Sequence, residues 1–148
     1  MADRKMETGL WHARQRAVRV VAADTTLGKD DLGKVILMGA NGVDITLPAC
    51  TGLPGAQLEV IQTADYATAV CTLVQAAAAE EFVGAMYGTT QGESAGTDSD
   101  FAETDGSNTK ITFAAASLRG DRVRLISDGT VWYVEAFAQN TAAITFDD

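Results

Sequence analysis

The chain has 148 residues, 47% of them apolar, and a formal net charge of −9 at pH 7. Its length and apolar content predict one compact domain with a real core and exclude wholesale disorder. No apolar run approaches the roughly 18–20 residues of a membrane span, and no apolar stretch follows the charged start, so we expect no membrane partner and no secretory signal.

Residues 1–16 predict a basic arm, because they show neither strand alternation nor a helical stripe. Residues 1–20 carry five Lys and Arg against two acidic residues, a net charge of +3, so the other 128 residues carry −12. Trp11 lies in the arm with no local core to bury it. We expect the arm to become ordered against another surface; a solvated arm, or one folded back onto the acidic body, is the alternative. The acidic body argues against nucleic acid as a partner.

Short apolar or alternating segments with turn residues between them follow from residue 17 onward. This spacing is typical of an all-β sandwich or barrel. Residues 39–42 carry an Asn-Gly turn signal, and Pro48 ends a strand because proline cannot donate to a ladder. The predicted strands are residues 17–22, 33–38, 43–47, 57–62, 69–75, 110–113, 121–127, 130–137 and 143–146.

Two segments break this pattern. Residues 76–82 have high helix propensity but are too few for an independent helix, so a helical turn and a strand are both open. Residues 84–108 are rich in Gly, Ser and Thr, and between residues 80 and 108 there are seven acidic residues and no Lys or Arg. We expect a long exposed loop or excursion there. Its oxygen-rich stretch 98–106 lacks the register of an EF-hand loop, so we expect solvation rather than calcium binding.

Residues 118–137 carry the strongest local signal, two alternating runs around Asp128-Gly129. This pair predicts a hairpin with a two-residue type I′ turn. Alternation places Trp132 and Val134 on one face and Tyr133 and Glu135 on the other. We expect Trp132 in the core, with carbohydrate stacking as the alternative.

No residue pattern predicts catalysis or a cofactor. The single histidine, His12, lies in the arm, where a nucleophile's base could not be held. Cys50 and Cys71 form no CxxC pair, so we expect two reduced, buried side chains rather than a zinc site or a disulfide.

The carboxylates on predicted strands also have an ordinary explanation. Asp44, Glu59 and Glu135 occupy alternating polar positions, so we expect them on a solvated face rather than paired in a hydrolase cleft. We therefore expect no enzyme, no metal and no cofactor.

The order of elements from residue 24 to residue 137 resembles small virion proteins of tailed phages. The resemblance lies in a Gly-Lys before an apolar strand (33–37), Ile-Thr-Leu-Pro (45–48), a Gly-led strand (55–61), and Gly-Asp-x-Val-x-Leu-Ile-Ser-Asp-Gly-Thr-x-Trp-Tyr-Val (120–134). These virion proteins include capsid decoration (cement) proteins and head- or tail-fibre domains. The resemblance implies a trimeric β-rich module on a particle surface, without catalysis.

The expected fold is all-β, a compact antiparallel β-sandwich or barrel of jelly-roll or tulip type. Residues 1–16 would form the extended arm, and residues 17–148 the β domain with an acidic excursion at 84–108. We expect a free-standing chain, made in the host cytoplasm and located on the capsid surface, which favours the decoration role. The partners would be the major capsid protein and two further copies of this chain.

The arm and the first strand supply the expected capsid-docking residues, on the argument from charge and Trp11. These are Arg4, Lys5, Trp11, His12, Arg14, Arg16 and Arg19. The alternative is a fibre module that binds a receptor or glycan through Trp132, Tyr133, Tyr87 and the 84–108 loop.

Overall fold

The computed structural model describes residues 16–65, 70–77, 80–89 and 99–148, which form two β-sheets packed face to face. One short 3-10 turn, Lys29–Asp31, lies among the strands. The strands are β1 (Val18–Val21), β2 (Thr25–Thr26), β3 (Val35–Met38), β4 (Asp44–Thr46), β5 (Gln57–Gln62), β6 (Cys71–Val74), β7 (Phe82–Thr89), β8 (Ser99–Glu103), β9 (Lys110–Phe113), β10 (Arg122–Ser127), β11 (Trp132–Ala138) and β12 (Ile144–Asp147).

The two sheets have different widths. The seven-stranded sheet has the order β1-β3-β5-β10-β11-β7-β8, and the five-stranded sheet has the order β12-β9-β6-β4-β2. The all-β sandwich expected from the sequence is confirmed.

The strand pairing differs from the expected antiparallel arrangement, because both sheets are mixed. From β1 to β7 the chain alternates between the two sheets, so each strand lies in the sheet opposite its predecessor. The strands β1, β3 and β5 are therefore neighbours in one sheet and β2, β4 and β6 in the other, and within each set they run parallel. The parallel pairs are β1/β3, β3/β5, β2/β4, β4/β6 and β11/β7. The Asn-Gly signal at 39–42 accordingly lies in a connection between sheets and not in a hairpin.

A single apolar core fills the space between the sheets. Trp132 and Phe82 from the wide sheet and Phe113 from the narrow one are fully buried. The prediction that Trp132 packs in the core is confirmed. Cys50 and Cys71 are free and buried, as expected. Burial, with the Glu80 carboxylate beside it, raises the pKa of the Cys50 thiol to about 11.

The predicted hairpin exists, but its turn is longer than predicted. Ser127 pairs with Trp132, so residues 128–131 form a four-residue connection. The Asp128 carboxylate accepts hydrogen bonds from the Thr130 hydroxyl (2.7 Å) and from the N–H groups of Val131 (3.0 Å) and Thr130 (2.8 Å). These bonds hold the pKa of Asp128 at about 2. A side chain that closes the turn therefore replaces the expected type I′ geometry.

The glycine-rich segment from residue 84 onward begins as a strand and not as a loop. β7 runs through Gly84 and Gly88 and pairs with the central strand β11 on one side and with β8 on the other. A Cβ on Gly88 would come within 2.8 Å of the Thr141 Cα. The glycines thus allow close backbone packing rather than loop flexibility. Residues 90–98 lie outside the described residues. Phe82 likewise starts a strand, so the end of the 76–82 segment is not helical.

Gly84→Ala should destabilise the fold strongly. A Cβ at this position would overlap the Val134 carbonyl oxygen and lie within 2.9 Å of the Val134 nitrogen, both backbone atoms of a central strand. We expect a loss of more than about 3 kcal/mol in the free energy of unfolding, measured by urea denaturation. Gly28→Ala, where a Cβ meets nothing within 4 Å, should stay within about 1 kcal/mol of wild type. Equal stability of the two variants would contradict this packing.

Candidate interaction surface

The two outer faces of the sandwich differ in chemistry. On the five-stranded sheet, Asp44, Thr72, Thr112 and Thr145 align in one row across four strands. Their hydroxyls donate to carboxylates, Thr72 to Asp44 at 2.5 Å and Thr112 to Asp147 at 2.7 Å. This face is a polar surface of the kind that water covers.

The outer face of the seven-stranded sheet is apolar by comparison. Within the described ranges, six of the eight exposed large apolar side chains lie on it, and the other two are Val70 and Leu118. Exposed apolar side chains gathered on one face are typical of interaction sites. The six are Val18, Val20, Tyr87, Ile126, Tyr133 and Phe137.

The strand register arranges this face in three rows. The first, called here the apolar row, crosses six strands from β1 to β7. The Phe137 and Tyr87 rings stack with centroids 6.2 Å apart, and the Arg122 guanidinium lies 5.1 Å from the Phe137 centroid. The apolar row consists of Val20, Leu37, Ile61, Arg122, Phe137 and Tyr87.

The second row is a ladder of alternating charges, formed by Arg16, Glu59, Arg124 and Glu135. The Glu59 carboxylate forms ion pairs with the guanidiniums of Arg16 and, at 3.4 Å, Arg124. The Arg124 guanidinium also lies 3.8 Å from the Glu135 carboxylate. Glu59 is buried, so the expectation that it faces solvent is wrong. Asp44 and Glu135 are exposed, as expected. All four charges of the ladder are thus paired within the chain.

The third row lines a groove. Gln57 pairs with Ile126, Ile126 with Tyr133, and Tyr133 with Val83. The Ile126 and Tyr133 side chains are each about half exposed. Together with Gln57 and three residues of the ladder, Arg16, Arg124 and Glu135, they line a shallow groove of about 340 Å³.

The structure describes two of the docking residues expected from the sequence. Arg16 binds Glu59 and donates to the carbonyls of Gly33 and Lys34, each at 3.1 Å. Arg19 binds Asp31, which also pairs with Lys34 at 3.0 Å. Both arginines therefore neutralise carboxylates of their own chain. The remaining docking residues, Arg4, Lys5, Trp11, His12 and Arg14, lie outside the described residues.

The outer face was not found from the sequence. An alternating pattern does not say which face of a strand is buried. It is therefore the same whether Val18 and Val20, or Tyr133 and Phe137, face the core or the solvent. Only the register across several strands shows that they share one exposed face. The signal available was that both alternate positions of β10 and β11 hold large apolar residues, as Ile126 and Phe137 show.

The described part of the chain gives little support to other kinds of site. It contains no group of three or more His, Cys, Asp or Glu placed to hold a metal ion. No helix in those ranges is long and apolar enough to span a bilayer. Burial of Trp132 removes it from any stacking role, whereas Tyr87 and Tyr133, which were also expected to contact a glycan, are exposed. Comparison with protein-family models, curated proteins and solved structures finds no match.

Asp31→Asn should make stability less dependent on acid pH. Burial raises the pKa of Asp31, but the Gly28 N–H, Lys34 and Arg19 together lower it below its usual 3.8. A carboxylate with a depressed pKa stabilises the fold above its unfolded pKa, and this stabilisation is lost as the pH falls through the folded pKa. The wild-type advantage in urea midpoint should therefore be full above about pH 5 and shrink as the pH falls below about 4.

The exposed neighbour Asp30 provides the control, since Asp30→Asn removes the same charge outside this cluster. An advantage of wild type over Asp31→Asn that stays constant from pH 6 to pH 3 would contradict the assignment.

Proposed function

We propose that the protein is a structural virion protein, a capsid decoration (cement) protein that binds the outer surface of an assembled phage head as a trimer and stabilises it. The observation that carries the proposal is the contrast between the two outer faces. One face is a polar threonine surface, and the other combines an apolar row with a satisfied charge ladder. A sandwich with one such face is suited to lie on another protein and leave its polar side in water.

The composition of the outer face supports docking to protein. Aromatic residues and arginine are enriched in interface cores, where a few of them carry most of the binding energy. Phe137, Tyr87 and Arg122 form such a cluster on the apolar row. Charges that are already paired are covered at a smaller desolvation cost than single ones.

The size of the face favours binding at several points. The three rows cross up to six strands that lie about 4.8 Å apart, which gives a footprint of roughly 500 Å², below the roughly 800 Å² per partner of a standard interface. Copies joined in a trimer would make each later contact intramolecular, which turns weak contacts into tight binding. A protein that binds the assembled shell but not separated subunits stabilises the shell by mass action.

A trimer also suits the edges of the sheets. β1 is an edge strand of the seven-stranded sheet, and Val18 and Val20 on it are 58% and 66% exposed. Edge strands with exposed apolar residues pair readily with other chains unless they are covered. The basic residues Arg4, Lys5 and Arg14 would add contacts to acidic groups of the shell.

A glycan- or receptor-binding fibre module is the second candidate. The stacked Tyr87 and Phe137 rings favour it, since exposed aromatic faces can bind sugar rings. The two functions differ in the partner that Tyr87 contacts, which is a glycan in one case and a protein shell in the other. Loss of glycan binding with unchanged binding to heads in Tyr87→Ser would favour the fibre role.

Substitutions on the apolar row should weaken binding to assembled heads. We expect Val20→Ser and Tyr87→Ser each to raise the Kd for undecorated heads about tenfold or more, measured by co-sedimentation, because apolar contact area is lost at an interface. Both side chains are more than half exposed, so folding should be unaffected. Val70→Ser is the matched control, since Val70 is 46% exposed and lies away from this face.

Heads that bind both variants as tightly as wild type would show that this face does not dock. Light scattering should give the mass of three chains for wild type and control. A single-chain mass, both free and on the particle, would remove the trimer from the proposal.

A further inference from the structure

The groove on the outer face lies where the described chain begins. Arg16, the first described residue, is one of its lining residues, beside Gln57, Ile126, Arg124, Tyr133 and Glu135. Ile126 and Tyr133 are 49% and 48% exposed, so both groove walls present apolar surface that the described residues leave uncovered.

Arg16 holds the start of the chain against this groove. Its guanidinium reaches past the Gly33 and Lys34 carbonyls of the β3 side to Glu59 on β5. Three partners fix this side chain, so the backbone that leads away from residue 16 starts at the outer face. The fifteen preceding residues could extend about 50 Å, whereas the sheet is roughly 30 Å wide.

We propose that Trp11 packs in this groove on its own chain, as an internal anchor that holds the basic arm beside the outer face. Trp11 lies five residues before Arg16, within about 17 Å of extended chain, so it reaches the groove without strain. It is also the largest apolar side chain in residues 1–15.

The groove offers each part of an indole a matching partner. Ile126 and the Tyr133 ring supply apolar contact, and an aromatic pair is stabilised beyond the area that it buries. The Arg16 and Arg124 guanidiniums lie at the groove and can approach the face of the ring. Gln57 and Glu135 supply side-chain oxygens that can accept the indole N–H.

This placement gives Trp11 a different partner from the one expected from the sequence, where it contacts the shell. With Trp11 held on the sheet, chain length keeps Arg4 and Lys5 within about 25 Å of the groove. The inference concerns the free protein, so it stands or falls independently of what the outer face binds.

The test uses full-length protein labelled with 5-fluorotryptophan and ¹⁹F NMR in the absence of heads. The chain has two tryptophans, and Trp11→Phe assigns their signals without touching the core residue Trp132. We expect the Trp11 signal to be shifted from that of a free peptide of residues 1–15. Tyr133→Ser and Ile126→Ser should move it to the peptide position, whereas Tyr133→Phe, which keeps the ring, should leave it in place.

Three results would overturn the inference. One is a wild-type Trp11 signal at the peptide position. Another is a shifted signal that neither serine variant changes, which would place Trp11 elsewhere. The third is a shifted signal that moves to the peptide position on dilution, which would place Trp11 on a neighbouring copy. The ¹⁹F signal of Trp132, which lies in the core, reports whether each variant is folded.

Discussion

Every part of this structure depends on burying one side of very short strands in a core shared by two sheets. Strands of two to eight residues are marginal alone, so each must give its apolar side chains to a common core. Ile36 and Leu58 from one sheet face Ile45 and Leu73 from the other, and all four are fully buried. Each such side chain contributes about 1.5–3 kcal/mol. The alternation of β1 to β7 between sheets follows, because successive strands then cover the core from both sides.

With the inner faces committed to the core, the outer faces are free to differ. The narrow sheet carries threonines whose hydroxyls bond to Asp44 and Asp147. The wide sheet carries apolar side chains around Glu59, which is buried between Arg16 and Arg124. A carboxylate in that position is costly unless paired, so the ladder also attaches the start of the described chain to the sheet. The stability of the fold and the position of residue 16 on the sheet thus depend on the same ion pair.

Local patterns in the sequence located most of the strands, but they missed β2, β7 and β8 and did not give the arrangement of the strands in the sheets. The alternating pattern located β10 and β11 and placed Trp132 in the core. This was possible because the two strands are neighbours in the sequence, joined by a short connection. The parallel pairing was missed because it results from connections that cross between sheets. Gly84 and Gly88 indicated a loop, whereas they permit close contact with Val134 and Thr141. Burial of Glu59 and the apolar outer face depend on register between strands distant in sequence, which no short pattern contains.

The central claim is that the outer face of the seven-stranded sheet is covered when the protein performs its function. Hydroxyl-radical footprinting of free and head-bound protein tests it directly, since aromatic side chains are strongly labelled when exposed. We expect Tyr87 and Phe137 to lose most of their labelling on binding, while Phe146, which packs on the edge of the narrow sheet, keeps its labelling. Unchanged labelling of Tyr87 and Phe137 with protection of Phe146 would contradict it.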